Sequence, residues 1–390
     1  MTPDPRDDSR AAEPALFVWV GTVAELIKLA PVILELRRHG REVVPIATGQ
    51  NDLSQSDLYP LVFPDGADDW VTRKPITQTP FWFALWAARC LIASFAVCRR
   101  VFRRHATTAD GRRPHHRRPR PLLLVHGDTV STLIGSIAGW FTGADIVHVE
   151  AGLRSFNLLR PFPEELCRVG VSRFARWAFC PGAWACGNLR GYRHLKIVDT
   201  QENTLLDSLR LALAHHADDD ILSRVPPRFF LFVCHRQENL LDRPFLDGIL
   251  ARVERKAAEI PCVAILHKPA EVALASLGLL DRLSGNPHVF ALPRQSYFDF
   301  TRLLNAAEFV VTDGGSNQEE CFFLGKACLI LRRESERREG LGENAILSMK
   351  DFSVIDRFLA DPSQWNRDGI ASEIHPSRTI AEHLLGQPPA

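Results

Sequence analysis

The stretch Leu122–Arg168 reads LLLVHGDTVSTLIGSIAGWFTGADIVHVEAGLRSFNLLRPFPEELCR, and its reading decides the fold. It begins with a short apolar run, Leu122–Val125, closed by Gly127-Asp128. A run of that length without polar alternation suits a strand buried on both faces of a parallel sheet. Ser131–Phe141 then has the character of a helix, with Asp128 or Thr129 as its cap. Gly143 ends the helix, and Ile146–Val149 is a second apolar strand. The unit is therefore βαβ, and Asp128 and Glu150 fall at the carboxyl ends of parallel strands, where open α/β sheets bind ligands. Arg154, Glu164, Glu165 and Arg168 follow closely. Carboxylates and guanidinium groups gathered on one sheet edge point to proton transfer beside an anionic substrate.

Working outward, Leu16–Val20 reads as an earlier strand, followed by a Gly21-Thr22 turn and a helix to about Arg38. Such a turn is either an anion seat, because the first helical N–H groups are free, or a plain structural corner. Val43–Ala47 is the next strand. After Arg168 the pattern predicts a helix carrying Val169, Val171, Phe174, Trp177 and Ala178, a strand at Phe179–Pro181 and a helix over Ala183–Arg190. A second α/β repeat starts at Phe229–Cys234 and ends in the polar cluster His235-Arg236-Gln237-Glu238-Asn239. Strands at Cys262–Leu266 and Phe309–Thr312 follow, the latter opening into Asp313-Gly314-Gly315-Ser316-Asn317-Gln318-Glu319-Glu320. Two glycines at a strand-to-helix turn let a phosphate approach the backbone, and Glu319 or Glu320 is placed to accept ribose hydroxyls. The expected organisation is a disordered tail over 1–14, one Rossmann-like domain over 15–197 and a second over 198–370. A C-terminal helix within 371–390 would pack back on the first domain.

The chain has 390 residues, which calls for more than one core. A formal charge of +1 gives no global reason to expect nucleic-acid binding. Nine cysteines are scattered without metal-ligand spacing, and they read as reduced packing residues. The polar, acidic start, Met1–Pro14, lacks the pattern of a secretory signal. His115-His116 has no other ligands nearby, so no metal site is expected. Pro80–Cys98, PFWFALWAARCLIASFAVC, is apolar on every face except at Arg89. Arg99, Arg100, Arg103 and Arg104 follow it, and then a basic loop to Arg120. An apolar helix flanked by arginines suits a membrane interface, and it equally suits a core or subunit contact.

Taken together, HGDT (His126–Thr129), HVEAGLRS (His148–Ser155), PFPEELCR (Pro161–Arg168), HRQEN (His235–Asn239), DGGSNQEE (Asp313–Glu320) and LRRESER (Leu331–Arg337) resemble the non-hydrolysing UDP-N-acetylglucosamine 2-epimerases. The likeness runs from about Phe17 to Met349. It implies a GT-B fold: two Rossmann-like doubly wound domains with the active site in the cleft between them. It also implies inversion at C2 of a UDP-sugar, by elimination of UDP and re-addition, without a cofactor or metal. On the matching positions Asp128, Glu150 and Glu164 correspond to the acid/base carboxylates, and His235 and Arg337 to diphosphate and sugar contacts. Gly314, Gly315 and Ser316 would offer the phosphate site, Glu320 the ribose contact and Tyr297 the base contact. Lys28, Arg154 and Arg168 would place the anion or orient carboxylates, and Arg236 is counted among the substrate contacts. The expected setting is cytoplasmic, with a homodimer and no nucleic acid, and 80–104 is left open between contact with the inner face of the plasma membrane and a core or subunit face. A structural reading stands beside these roles: Asp128 as a helix cap, Glu150 paired with Arg154, and Glu164 with Glu165 as the negative start of a helix.

The sequence also departs from the family. Val23-Ala24 stand where the family has Arg-Pro, and Asn51-Asp52 where it has His-Arg. Its Ser-Gly-Gly is permuted to Gly314-Gly315-Ser316, and Pro80–Cys98 is more apolar than the family's helix. The nucleotide half thus matches better than the sugar half. That asymmetry motivates an alternative, a GT-B glycosyltransferase passing a sugar to a membrane-linked acceptor.

Overall fold

The computed structural model describes residues 13–66, 69–72, 80–105, 119–158, 162–215, 220–335, 337–370 and 373–386. Most of the expected tail, Asp218 and Asp219, which with Asp220 read in the sequence as an exposed acidic turn, and the basic loop with Arg112, Arg113, His115, His116, Arg117 and Arg118 lie outside them. So do Pro161 and Glu336. The chain forms two compact units, Met1–Ser208 together with Ile374–Ala390, and Leu209–Glu373.

The first unit is built on six parallel strands: β1 Leu16–Val20, β2 Val43–Ala47, β3 Leu122–His126, β4 Asp145–Val149, β5 Ala175–Cys180 and β6 Lys196–Asp199. Their order in the sheet is β2-β1-β3-β4-β5-β6. β1 and β3 are buried at every position, as strands covered on both faces must be. The helices are α1 Val23–Arg38, α2 Tyr59–Val62, α3 Pro80–Arg104, α4 Val130–Phe141, α5 Glu164–Phe174 and α6 Ala183–Leu189, and α7 Leu205–Ala214 begins in this unit and carries the chain past Ser208 into the second. α4 is capped by Thr129, whose side chain accepts from the Thr132 N–H, so Asp128 is released from that duty. One face of α3 joins Phe17, Trp19, Leu123 and Val125 in a shared core. Helix Pro376–Leu385 also belongs to this unit: the Ser377 N–H donates to Asp207, and the His383 ring meets Phe179 edge-on.

The expected helix through Ala178 is corrected by the structure. α5 stops at Phe174, and Trp177 and Ala178 lie in β5, paired with Val147 and His148 of β4. No glycine or proline marks this boundary in the sequence. Pairing with an already formed strand edge decides it.

The second unit repeats the plan with β7 Phe230–Val233, β8 Cys262–Leu266, β9 Val289–Pro293, β10 Val310–Thr312, β11 Cys328–Ile330 and β12 Ala345–Leu347. All are parallel, in the order β12-β11-β10-β7-β8-β9. In both sheets the winding reverses once, between β1 and β3 and between β7 and β10. Such switch points leave a crevice at the strands' carboxyl ends. Those ends lead into Gly21 and Gly127-Asp128 in the first unit, and into His235 and Asp313 in the second.

Candidate active site

In the first unit the β1–α1 turn is not an open anion seat. Thr22 and Glu25 form a capping box, and the Glu25 carboxylate accepts from the N–H groups of Gly21 (2.6 Å) and Thr22 (3.2 Å). The Thr129 hydroxyl donates to its other oxygen. Burial raises the Glu25 pKa, and those hydrogen bonds oppose the rise. Gly21 permits this closure, because a Cβ there would sit 2.2 Å from Ser131 Oγ.

Glu150 follows β4 directly, with φ +62°. That left-handed backbone is uncommon for a residue with a side chain, and it turns the carboxylate inward. Lys28 Nζ lies 2.6 Å from Glu150 Oε2, and His126 Nε2 lies 2.9 Å from the same oxygen. The structural alternative, Glu150 paired with Arg154, is not the arrangement that forms. Arg154 Nε instead donates to Glu165 Oε1 at 2.5 Å.

Glu165 is fully buried and accepts further from the Ser155 and Phe156 N–H groups and from Arg168. Burial alone would push its carboxyl up, but these donors together hold it below the ordinary value. The other arm of the Arg168 guanidinium pairs with Asp128. Burial would lower the Arg168 pKa, yet its two carboxylate partners hold it above normal. Glu164, one residue earlier, has a different fate. Its Oε2 is buried and has no hydrogen-bond partner among the described residues. The two carboxylates at the start of α5 are therefore not equivalent: Glu165 is the structural anchor, and Glu164 keeps an oxygen available.

His148 supports this edge from below, with Nε2 2.8 Å from the Gly127 carbonyl. Burial holds its imidazole down at about 4, so it is neutral at pH 7. Burial, with Asp128 and Glu164 adding to it, pushes the Cys167 thiol up to about 12, which leaves it an inert neutral group.

The second unit centres on Asp313, at the carboxyl end of β10 and fully buried. It accepts from the His235 N–H at 3.1 Å, the Arg236 N–H at 2.9 Å and Asn239 Nδ2 at 3.0 Å. Its Oδ1 is also 3.2 Å from His235 Nδ1. The His235 ring stacks on His267 at 4.8 Å. Burial lowers the His235 pKa, Asp313 opposes this, and Arg236 and Arg294 add to it. Helix Gly315–Phe323 begins beside this ring, with Gly314 at its cap position and no side-chain cap. The amides of its first turn, Gly315 and Ser316 included, thus lack a side-chain acceptor at the cap, as an anion site requires.

Glu320 is buried and accepts from Asn317 Nδ2 at 3.1 Å. Burial first, and then the Glu320 carboxylate, push the neighbouring Tyr297 phenol well above its usual range. Arg337 Nη1 lies 3.1 Å from Glu319 Oε2, and Glu319 is fully buried. Gln318 donates to the carbonyls of Arg337 and Glu339, which fastens the charged loop to this helix. Of the two candidate ribose contacts, Glu319 is thus engaged with Arg337.

His126, Asn239 and Asp313 were not singled out from the sequence as site groups. All three stand inside motifs quoted above, and burial with a polar partner is what distinguishes them. Among the described residues no group of three or more His, Cys, Asp and Glu is arranged to hold a metal ion.

A sequence-family model described as UDP-N-acetylglucosamine 2-epimerase matches residues 115–356. The UDP-N-acetylglucosamine 2-epimerase of Bacillus subtilis (strain 168) is 29% identical over 275 residues, covering 68% of this chain and 72% of that protein. The UDP-2,3-diacetamido-2,3-dideoxy-D-glucuronate 2-epimerase of Pseudomonas aeruginosa is 31% identical over 274 residues, covering 67% and 74%. Among solved structures, the UDP-GlcNAc 2-epimerase of Neisseria meningitidis bound to UDP-GlcNAc has a TM-score of 0.75 at 26% identity, covering 96% of this chain and 100% of that one.

Proposed function

Because the chain belongs to the UDP-N-acetylglucosamine 2-epimerase family, we propose that it interconverts UDP-N-acetylglucosamine and UDP-N-acetylmannosamine by eliminating UDP and adding it back. The sugar proton at C2 is weakly acidic, so a base must remove it on one face and an acid must return one on the other. Asp128, Glu150 and Glu164 take these duties in differing surroundings. Glu150 is anchored by Lys28 and His126, and Asp128 is fixed by Arg168. Glu164 keeps a buried oxygen with no partner among the described residues, and that single observation carries the reading. Arg154 and Arg168 act through Glu165, which sets the geometry of the edge.

In the second unit the first turn of helix Gly315–Phe323 and Gly314 receive the diphosphate, His235 and Arg236 stabilise its departing charge, and Glu320 holds the ribose. Tyr297 borders the base, and Arg337, anchored by Glu319, lies at the phosphate end. We read the protein as a cytoplasmic homodimer that touches the inner face of the plasma membrane through 80–104 and supplies an amino sugar for envelope polysaccharide.

The test is incubation with UDP-N-acetylglucosamine in heavy water. Deuterium must enter C2 as the epimer forms. No deuterium and no epimer, with sugar transfer to a lipid acceptor instead, would establish the glycosyltransferase alternative.

A further inference from the structure

α3 is the one helix among the described residues long and apolar enough to cross a membrane, and 28% of its apolar window is buried. It does not stand free of the fold. Trp86, Cys90, Val97, Cys98 and Val101 are packed into the core beneath it. Arg100 and Arg104 tie its carboxyl end to the buried Asp69 carboxylate at 3.2 and 3.3 Å. A helix fixed along one face cannot leave the sheet to span a bilayer.

The opposite face is exposed, and its order along the helix is informative. Phe81, Leu85, Ala88, Ile92 and Ala96 recur at helical spacing and are all exposed. Phe81 is 72% and Ile92 74% accessible. This apolar stripe is about 22 Å long. It continues into Arg99 and Arg103, also exposed, which make no ion pair or hydrogen bond among the described residues. At its side the end of α4 adds Trp140 and Phe141, 45% and 62% accessible, through the contact of Phe95 with Phe141. α3 contains no Asp or Glu. A second copy of the same face would offer these arginines no opposite charge, whereas an anionic headgroup layer would.

Resting on the peripheral contact read above, we propose that α3 and the tip of α4 form a docking surface for an anionic phospholipid bilayer. The stripe lies parallel to the membrane. Phe81, Trp82, Leu85 and Ile92 enter the headgroup–acyl boundary, and Arg99 and Arg103 meet lipid phosphates.

The experiment is flotation of the intact protein with vesicles of equimolar phosphatidylglycerol and phosphatidylcholine, and with phosphatidylcholine vesicles alone. The protein floats with the first, and added salt weakens the association. Arg99→Gln with Arg103→Gln lowers partitioning at least about tenfold, and Leu85→Ser with Ile92→Ser does so by a similar factor. All of these side chains are exposed, so both double variants keep the melting profile of the unchanged protein. Absence of flotation with anionic vesicles overturns the proposal. So does equal binding to both vesicle types, or a dimer in solution that Leu85→Ser with Ile92→Ser splits while vesicle binding is unaffected. Turnover of UDP-N-acetylglucosamine in the same fractions reads the epimerase assignment independently of the lipid result.

Discussion

The Lys28 ammonium sits 2.6 Å from Glu150 Oε2, and both side chains are almost out of contact with solvent. Removing one member strands a buried charge, which costs roughly 3–5 kcal/mol, whereas replacing both with apolar groups is close to neutral. Lys28→Met is therefore expected to lower unfolding stability by about that amount in urea titrations. Lys28→Met with Glu150→Leu should recover most of the loss and still show no epimerisation.

Glu164 and Glu165 separate catalysis from architecture. Glu164→Gln keeps the melting temperature and lowers turnover by about 100-fold or more, the usual contribution of a positioned acid or base. Glu165→Gln disturbs an anchor with four donors, Arg154, Ser155 N–H, Phe156 N–H and Arg168. Its stability should fall by about 1–3 kcal/mol, and its activity with it. Parallel melts and deuterium incorporation at C2 distinguish the two.

Asp313 organises the second unit's strand end without being placed to touch a ligand. Asp313→Asn exchanges a carboxylate for an amide against the His235 and Arg236 N–H groups. UDP affinity is expected to weaken about tenfold by calorimetry, since a charge-assisted bond contributes on the order of 1.5–3 kcal/mol.

Acid should destabilise the first unit through His148. Its folded value of about 4 lies below the unfolded 6.5 because burial disfavours the cation. The unfolded chain therefore binds the extra proton first. The stabilisation is complete above pH 6.5 and is lost as pH falls from there toward 4. The loss is on the order of 3 kcal/mol for this group. Urea titrations at pH 7 and pH 5 should show a smaller difference for His148→Gln than for the unchanged protein.

Much of this was legible in the chain. The β3–α4–β4 unit stands where an apolar run, a capped helix and a second run placed it, because strand and helix periods are local properties. The pairing of Lys28 with Glu150 spans 122 residues and exists only because β1, β3 and β4 are neighbours in register. Glu164 and Glu165 are chemically identical in the sequence, and only the direction of α5 decides which one is buried. Trp177 and Ala178 continue a helical pattern, yet the edge of β4 claims them.

The Glu25 carboxylate that closes the β1–α1 turn has a wider consequence. A group tethered to the chain competes for the same amides at an effective concentration in the millimolar range or above. The amino-terminal corner is thus plugged from within, and a pyrophosphate arriving from solution would have to evict a built-in counter-ion. The glycine-led helix of the other unit carries no such stopper.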